Sequence, residues 1–509
     1  MDADRDVQLD PEAAVAVHLS LRCGYGDDGA AQLLDVDPEQ VRRARNRGIE
    51  ILTRRLGKRV PALTSALGRR VAADTDWPRT TRLLPWSLAA FLMMLWLVPF
   101  DGLQLPISLP LDATFDRPVL VVVATLWLVT LLAVRDKARP RLRWSGVHTA
   151  ILLFVITAVL SLLLNAHTLG NLGEFELGLK KLALLASYCL LFTIVASSVR
   201  PSEVKAFTGL IVLLACITAL GTIWEYRTGF NVFYTWTDKL LPGDVALPVT
   251  AFEADATGRT TIFGPTAHPL ALAALLSLAV PFTIVRLMEA RTAAARWMYA
   301  GALLLILAGD FSTQRKTTVL ALAAALLVLA LYRPRRMLRF APLGAVLLVG
   351  VSAVSPSALG SVRDQIEPGR ADAVLSTRDR ESDYDAVTPD VKRHPLIGRG
   401  YQTYEPEKYR VLDNEYLAIL IGNGAFGVIA YVLLFIAIFA VCHRIIRSRD
   451  PVRGPPALAV ASGVALLLVT SALFDVIAFP HVPYMLFFMA GLAVACSVPR
   501  EEEVWHSLT

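Results

Sequence analysis

The chain has 509 residues, 55% of them hydrophobic and 18% charged, with a formal net charge of +6. A mean hydropathy of +0.51, with the apolar residues gathered in long runs, excludes an ordinary soluble enzyme and points to a polytopic membrane protein. The five cysteines are scattered and show no CxxC or Cys/His spacing, so neither a structural zinc site nor a disulfide framework is expected.

Residues 1–80 are charged and contain no early apolar region, so no signal peptide is expected. They form a separate cytoplasmic helical domain in this reading. Apolar positions in AVAVHLSL and AAQLLDV suit short helices. Asp37 is an N-cap with Pro38 at the first helical position. The helix that follows, PEQVRRARNRGIEILTRRLGKRV, is strongly basic. The stretch GYGDDGAAQLLDVDPEQVRRARNRGIEIL resembles the helix-turn-helix of sigma-factor C-terminal domains, at Ala31, Leu34, Val36, Val41 and the basic helix after them. Asp35 stands where that family has a turn glycine, and Gly29 where it has an apolar residue. The resemblance implies DNA as a partner. The competing reading, favoured because the domain is tethered to a membrane, is a small helical domain whose arginines face lipid headgroups or a protein partner.

Apolar runs long enough to cross a bilayer predict about twelve spans, at 83–100, 118–134, 146–164, 181–198, 204–223, 267–286, 297–310, 317–332, 340–354, 423–442, 456–474 and 482–498. The class is all-α, with a transmembrane domain over 81–499 and a tail at 500–509. Orientation follows the Lys/Arg bias. RDKARPRLR at 135–143 carries five basic residues, while YRPRRMLR at 332–339 and HRIIRSRDPVR at 443–453 carry four each. By contrast, 101–117 hold one Arg and three Asp, and 475–481 hold neither Lys nor Arg. Both termini are then cytoplasmic, and the long loops at about 224–266 and 355–422 face outside.

The outer loop carries the chemistry. Its end reads KRHPLIGRGYQTYEPEKYRVLDNEYLAILIGNGAFG, a polar stretch running directly into an apolar helix. Asn414 is followed by nine residues, Gly424, two residues and Gly427. This spacing, with the preceding HPLIGRG, resembles the O-antigen ligase and polymerase family of bacterial envelope enzymes. Gly258-Arg259, Gly264 and His268-Pro269 open the sixth span as family members do, and Ser312-Thr313-Gln314-Arg315-Lys316 lies where the family has a Ser-Arg pair. The resemblance spans about residues 83 to 498.

What the resemblance implies is a metal-independent glycosyltransferase in the bacterial plasma membrane, without a cofactor. It would transfer a glycan from a polyprenyl-pyrophosphate (undecaprenyl-type) donor to a glycan or glycolipid acceptor hydroxyl. Family ligases have His where this chain has Asp413. Asp413, as proton acceptor, and Arg315 are the catalytic candidates. Arg259, Arg380, Asn414, Lys316, His268 and Tyr416 are the substrate-binding candidates. Independently of the resemblance, a diphosphate concentrates negative charge, and Arg offers it a planar fork that stays charged.

Each residue also has a plainer reading. Asp413 and Asn414 suit a helix N-cap, and His268 a helix start. Arg315 and Lys316 suit snorkelling, Arg259 a loop arginine, and Tyr416 an interfacial tyrosine. Asp383-Tyr384-Asp385 matches a metal-binding DxD in letters but reads as solvated loop. Alternatives for the whole chain are a polymerase joining lipid-linked repeat units, a transporter or flippase, and a membrane-tethered regulator. A transporter would place charges or helix breaks at mid-span; these spans are largely Leu, Ala and Val.

Overall fold

A backbone inside a bilayer must satisfy its own N–H and C=O groups, so uninterrupted apolar runs become helices. The computed structural model describes residues 11–22, 27–56, 76–104, 114–134, 140–241, 244–245, 261–315, 317–339 and 384–498. These residues fall into two units, divided near residue 76.

In the first unit, α1 (Pro11–Val17, continuing as a π-helical turn His18–Arg22), α2 (Asp27–Leu34) and α3 (Pro38–Leu56) pack around Ala16, Ala30, Ala31 and Val41. Asp37 caps α3 as expected: its carboxylate accepts the N–H of Glu39 at 3.2 Å, and Pro38 opens the helix. Asp35, in the place of a turn glycine, adopts φ 53°. Of the four positions behind the helix-turn-helix resemblance, Ala31 and Val41 are buried, whereas Leu34 and Val36 are exposed.

The second unit is a helical bundle. Its elements are α4 (Leu83–Leu97), α5 (Asp116–Ala133), α6 (Gly146–Leu164), α7 (Ala166–Leu172), α8 (Phe175–Ser198), α9 (Pro201–Thr228) and α10 (Val232–Leu240). They continue with α11 (Pro269–Glu289), α12 (Ala293–Ser312), α13 (Thr317–Tyr332), α14 (Glu415–Arg447), α15 (Gly454–Thr470) and α16 (His481–Ser497). A two-residue antiparallel ladder, β1 (Leu103–Gln104) with β2 (Asp244–Val245), pairs Leu103 with Val245.

Seven of these helices are long and apolar enough to cross a membrane, and α4, α13, α15 and α16 are shorter apolar helices. Together they cover every expected span except the ninth, 340–354, which lies outside the described residues. Two loop boundaries differ from expectation. Residues 415–422 belong to α14 and not to the outer loop, because Asn414 starts the helix earlier than the apolar run does. Within 224–266, α9 continues to Thr228 and α10 follows.

Apolar composition alone does not sort the helices; packing does. In α11, 89% of the apolar window is buried, against 17% in α5. Helices α15 and α16 are likewise buried along most of their length. Thus α11, α15 and α16 form the centre, and α5, with Val121, Val122 and Leu132 exposed, presents its side chains outward. Short connections then gather at two ends. One end holds 98–102, 165–174, 261–268, 313–315, 394–414 and 471–480; the other holds 140–145, 199–200, 290–292, 333–339 and 448–453.

Candidate functional site

Helix α14 is broken within its own length, at Gly424. Gly424 has φ 67° and ψ −168° inside an otherwise helical segment, a conformation reserved for glycine. The segment 395–400 crosses the break and replaces the lost helical hydrogen bonds. The Pro395 and Leu396 carbonyls accept the N–H groups of Ala425 (2.9 Å) and Phe426 (3.2 Å). The N–H groups of Arg399 and Gly400 donate to the carbonyls of Ile421 (2.9 Å) and Gly422 (3.0 Å). Ser161 of α6 also donates to Gly422, and Asn165 donates to the Gly398 carbonyl at 3.0 Å. A side chain at Gly424 would strike the backbone of Leu396 and Ile397, and one at Gly398 (φ 77°) the backbone of Gly422. The two sequence motifs, HPLIGRG and the Asn-x9-Gly spacing, are therefore the two halves of one backbone joint. A cavity of about 250 Å³ lined by Leu164, Asn165 and residues 394–398 opens beside it.

Asn414 sets the start of α14. Asn414 Oδ1 accepts the N–H of Leu417 at 3.3 Å, the capping role, and Asn414 Nδ2 donates to the Tyr384 hydroxyl at 3.3 Å. Asp413, next to the cap, is exposed. Tyr416 is half-buried, and its hydroxyl donates to the Leu468 carbonyl at 2.8 Å. That bond fixes Tyr416 between α14 and α15.

Sequence reasoning missed Glu415. Its carboxylate is fully buried and accepts the N–H of Ile477 at 2.8 Å, while its own N–H donates to Ser471 at 2.8 Å. The Asp475 carboxyl lies beside it, and Glu415 Oε1 and Asp475 Oδ1 are buried with no hydrogen-bond partner among the described residues. The same connection ends at His481, whose buried Nδ1 lies 3.4 Å from Asp101 Oδ2. The available signal was an acid and a histidine placed in the short apolar connection SALFDVIAFPH.

Arg315 and His268, at two separate helix ends, lie near enough for the arginine's charge to act on the ring. The segment before α11 is fixed by Glu225, whose carboxylate accepts the N–H groups of Phe263 (3.1 Å) and Gly264 (2.9 Å). The Tyr234 hydroxyl donates to Thr266 (3.1 Å), and Asp101 accepts the N–H of Ala267 (3.2 Å). His268 then caps α11: its Nδ1 accepts the N–H of Leu270 at 3.3 Å, and its ring stacks on Phe479 at 4.6 Å. With Nδ1 accepting, a neutral ring carries its proton on Nε2. Burial, reinforced by the nearby charge of Arg315, pushes the imidazole down to about 4. Arg315 is half-buried and follows Gln314, which holds φ 55°. A left-handed non-glycine residue costs about 1–2 kcal/mol and turns the chain sharply after α12.

Phe479 links the two groups of residues. It lies in the 471–480 connection, which contacts the start of α14 through Ser471, Asp475 and Ile477 and the start of α11 through His268. Asp413, Asn414, Tyr416, His268 and Arg315 thus sit at one end of the bundle. Arg259, Lys316 and Arg380 lie outside the described residues.

At the same end, Glu174 binds the 399–409 segment. It accepts from Arg399 Nη2 (2.6 Å), Lys408 Nζ (2.6 Å) and the Tyr409 hydroxyl. Arg399 lies 4.4 Å from the centre of the Tyr409 ring, and Tyr404 stacks on Tyr409 at 4.7 Å. Burial alone would raise the Glu174 carboxyl; the bonds from Lys408 and Tyr409, with the charges of Arg399 and Lys408, hold it below the ordinary carboxylate value. Tyr401 is buried against Phe154 and presents no face to a ligand.

No curated protein matches the chain. Residues 300–432 match the family model described as O-Antigen ligase. The matched segment runs from α12 through α13 to the Gly398–Gly424 joint and the start of the long arm of α14. With apolar helices around it, that segment is similar to the O-antigen ligase family, and the chain is a polytopic helical membrane protein.

Proposed function

We propose that the protein is an integral-membrane glycosyltransferase that moves a glycan from a polyprenyl-pyrophosphate donor to an acceptor hydroxyl at the outer face of the plasma membrane. The observation that carries this reading is the gathering of Asp413, Arg315 and neutral His268 at one end of the bundle, around a helix start inside the family-matched segment. The opposite end carries Arg141, Arg143, Arg333, Arg335, Arg336 and Arg339, the bias expected of a cytoplasmic side.

Arg315, with Arg259, Lys316 and Arg380, would hold the diphosphate by charge and forked hydrogen bonds. His268 would donate its Nε2–H to a phosphate oxygen, since a ring held near 4 is neutral at physiological pH. The acceptor oxygen attacks the anomeric carbon, the carbon–oxygen bond to the pyrophosphate breaks, and polyprenyl pyrophosphate leaves with the electron pair. Asp413 takes the acceptor proton. Asn414 and Tyr416 would shape the acceptor side, their bonds to Leu417 and Leu468 keeping α14 in place.

Asp413 in the place of the ligase histidine favours a second reading within this class, polymerisation of lipid-linked repeat units. In either case residues 1–80 would contribute a tethered domain with a DNA or protein partner. The test replaces Asp413 with Asn and Arg315 with Ala at unchanged protein level, and compares finished surface glycan with lipid-linked precursor. Precursor accumulation in both variants is expected. If neither accumulates precursor, the site assignment is wrong. Chain-length distribution of the product separates polymerase from ligase.

A further inference from the structure

The end of the bundle opposite Asp413 holds a cavity of about 660 Å³ between the last turn of α11, the first turns of α12 and the helical turn 334–339. Its lining combines apolar side chains, Leu287, Met288 and Trp297, with three arginines, Arg296, Arg336 and Arg339. Trp297 is 79% exposed and Met298 59%. On an apolar span such exposure faces lipid, and tryptophan settles at headgroup depth. The cavity therefore opens sideways to the bilayer near its surface.

Its charge is strongly one-sided. Among the described residues, Glu289 is the acid whose charge is felt there: it lies 3.8 Å from Lys205 and within the field of Arg286, Arg336 and Arg333. Arg296 is oriented by its Nε, which donates to the Ala290 carbonyl at 3.1 Å. That leaves both terminal nitrogens as a fork. Guanidinium groups above an apolar groove match one ligand chemistry, a phosphodiester attached to acyl chains.

We propose that this cavity binds an anionic phospholipid of the surrounding bilayer. Arg296, Arg336 and Arg339 hold its phosphate, and its acyl chains lie along Trp297. This binding is independent of the reaction at the other end of the bundle.

The test uses the full-length protein in nanodiscs containing phosphatidylcholine and phosphatidylglycerol. Native mass spectrometry counts the phosphatidylglycerol retained. Arg336→Gln/Arg339→Gln should lower retention by about tenfold or more, since even one lost charge-assisted bond is worth about that factor. Arg444→Gln/Arg449→Gln, at the same end but outside the cavity, should leave retention unchanged. Equal retention in wild type and the first variant, or equal loss in both variants, overturns the proposal. Stabilisation by inorganic phosphate equal to that by phosphatidylglycerol overturns the lipid assignment in favour of a soluble phosphate site. Should the first variant not fold, quenching in the wild type decides. Brominated phosphatidylglycerol should quench tryptophan fluorescence more than brominated phosphatidylcholine, with the difference absent in Trp297→Phe. Equal quenching by the two lipids overturns the proposal.

Discussion

Gly424 and Leu396 meet backbone to backbone at the break in α14. A side chain on Gly424 would enter the Leu396 carbonyl, and that carbonyl accepts the N–H of Phe426 at 3.2 Å. The spacing from Asn414 to Gly427 thus describes a joint: Asn414 starts a helix, Gly424 interrupts it, and the 395–400 segment is clamped into the gap.

Gly424→Ala should destabilise the protein by more than the ~1–3 kcal/mol of backbone strain alone, because the clash with Leu396 and Ile397 adds to it. Gly301→Ala, a glycine in α12 with open space around it, should be neutral or stabilising by up to ~1 kcal/mol. Thermal unfolding of the purified proteins in detergent checks both. Equal melting temperatures for the two variants would contradict the joint.

His268 separates a structural from a chemical contribution. His268→Asn preserves a cap acceptor and should hold stability, whereas His268→Ala should cost about 0.5–2 kcal/mol. The folded ring is pushed to about 4 while an unfolded histidine titrates at 6.5. Between those values the unfolded chain binds the extra proton, so the histidine's contribution is intact above 6.5 and is lost as pH falls toward 4. Acid denaturation of wild type and His268→Asn, recorded from pH 7 to 4, should diverge in that window. Parallel curves would show that His268 titrates normally.

Glu174 should make the 399–409 segment acid-sensitive. Its folded value is depressed, so its stabilisation is complete above the ordinary carboxylate value of 4.5 and disappears as pH falls through the lowered value. Glu174→Gln leaves the buried Arg399 guanidinium without its anion and should loosen 399–409 at neutral pH. Hydrogen exchange of that segment is the measurement: protection equal to wild type would mean that Glu174 does not hold the loop.

Arg315→Lys keeps a cation near His268 but loses the planar fork. Activity should therefore fall less than in Arg315→Ala and remain below wild type. Asp413→Asn removes a proton acceptor and should slow turnover by roughly 10²–10⁴. A glycan-transfer assay on purified protein with lipid-linked donor ranks all three. Wild-type rates in Arg315→Ala would remove Arg315 from the site.

Local sequence determined much of this molecule. Runs of Leu, Ala and Val specify helices because a lipid environment leaves the backbone no other partner, and eleven apolar helices lie where the runs lie. Asp37-Pro38 and Asn414 announced helix starts, since a cap acts within three residues of itself. The glycine spacing marked where the chain was special. Only the tertiary structure decided why. Gly424 meets Leu396 across a chain reversal, Glu415 meets Asp475 across an entire helix pair, and His268 meets Arg315 through the ends of α11 and α12. It also decided that α11, α15 and α16 are central while equally apolar α5 faces outward. Periodicity records the backbone's local needs; contacts between residues distant in sequence arise from packing, and those contacts hold Asp413, Arg315 and His268 at one end of the bundle.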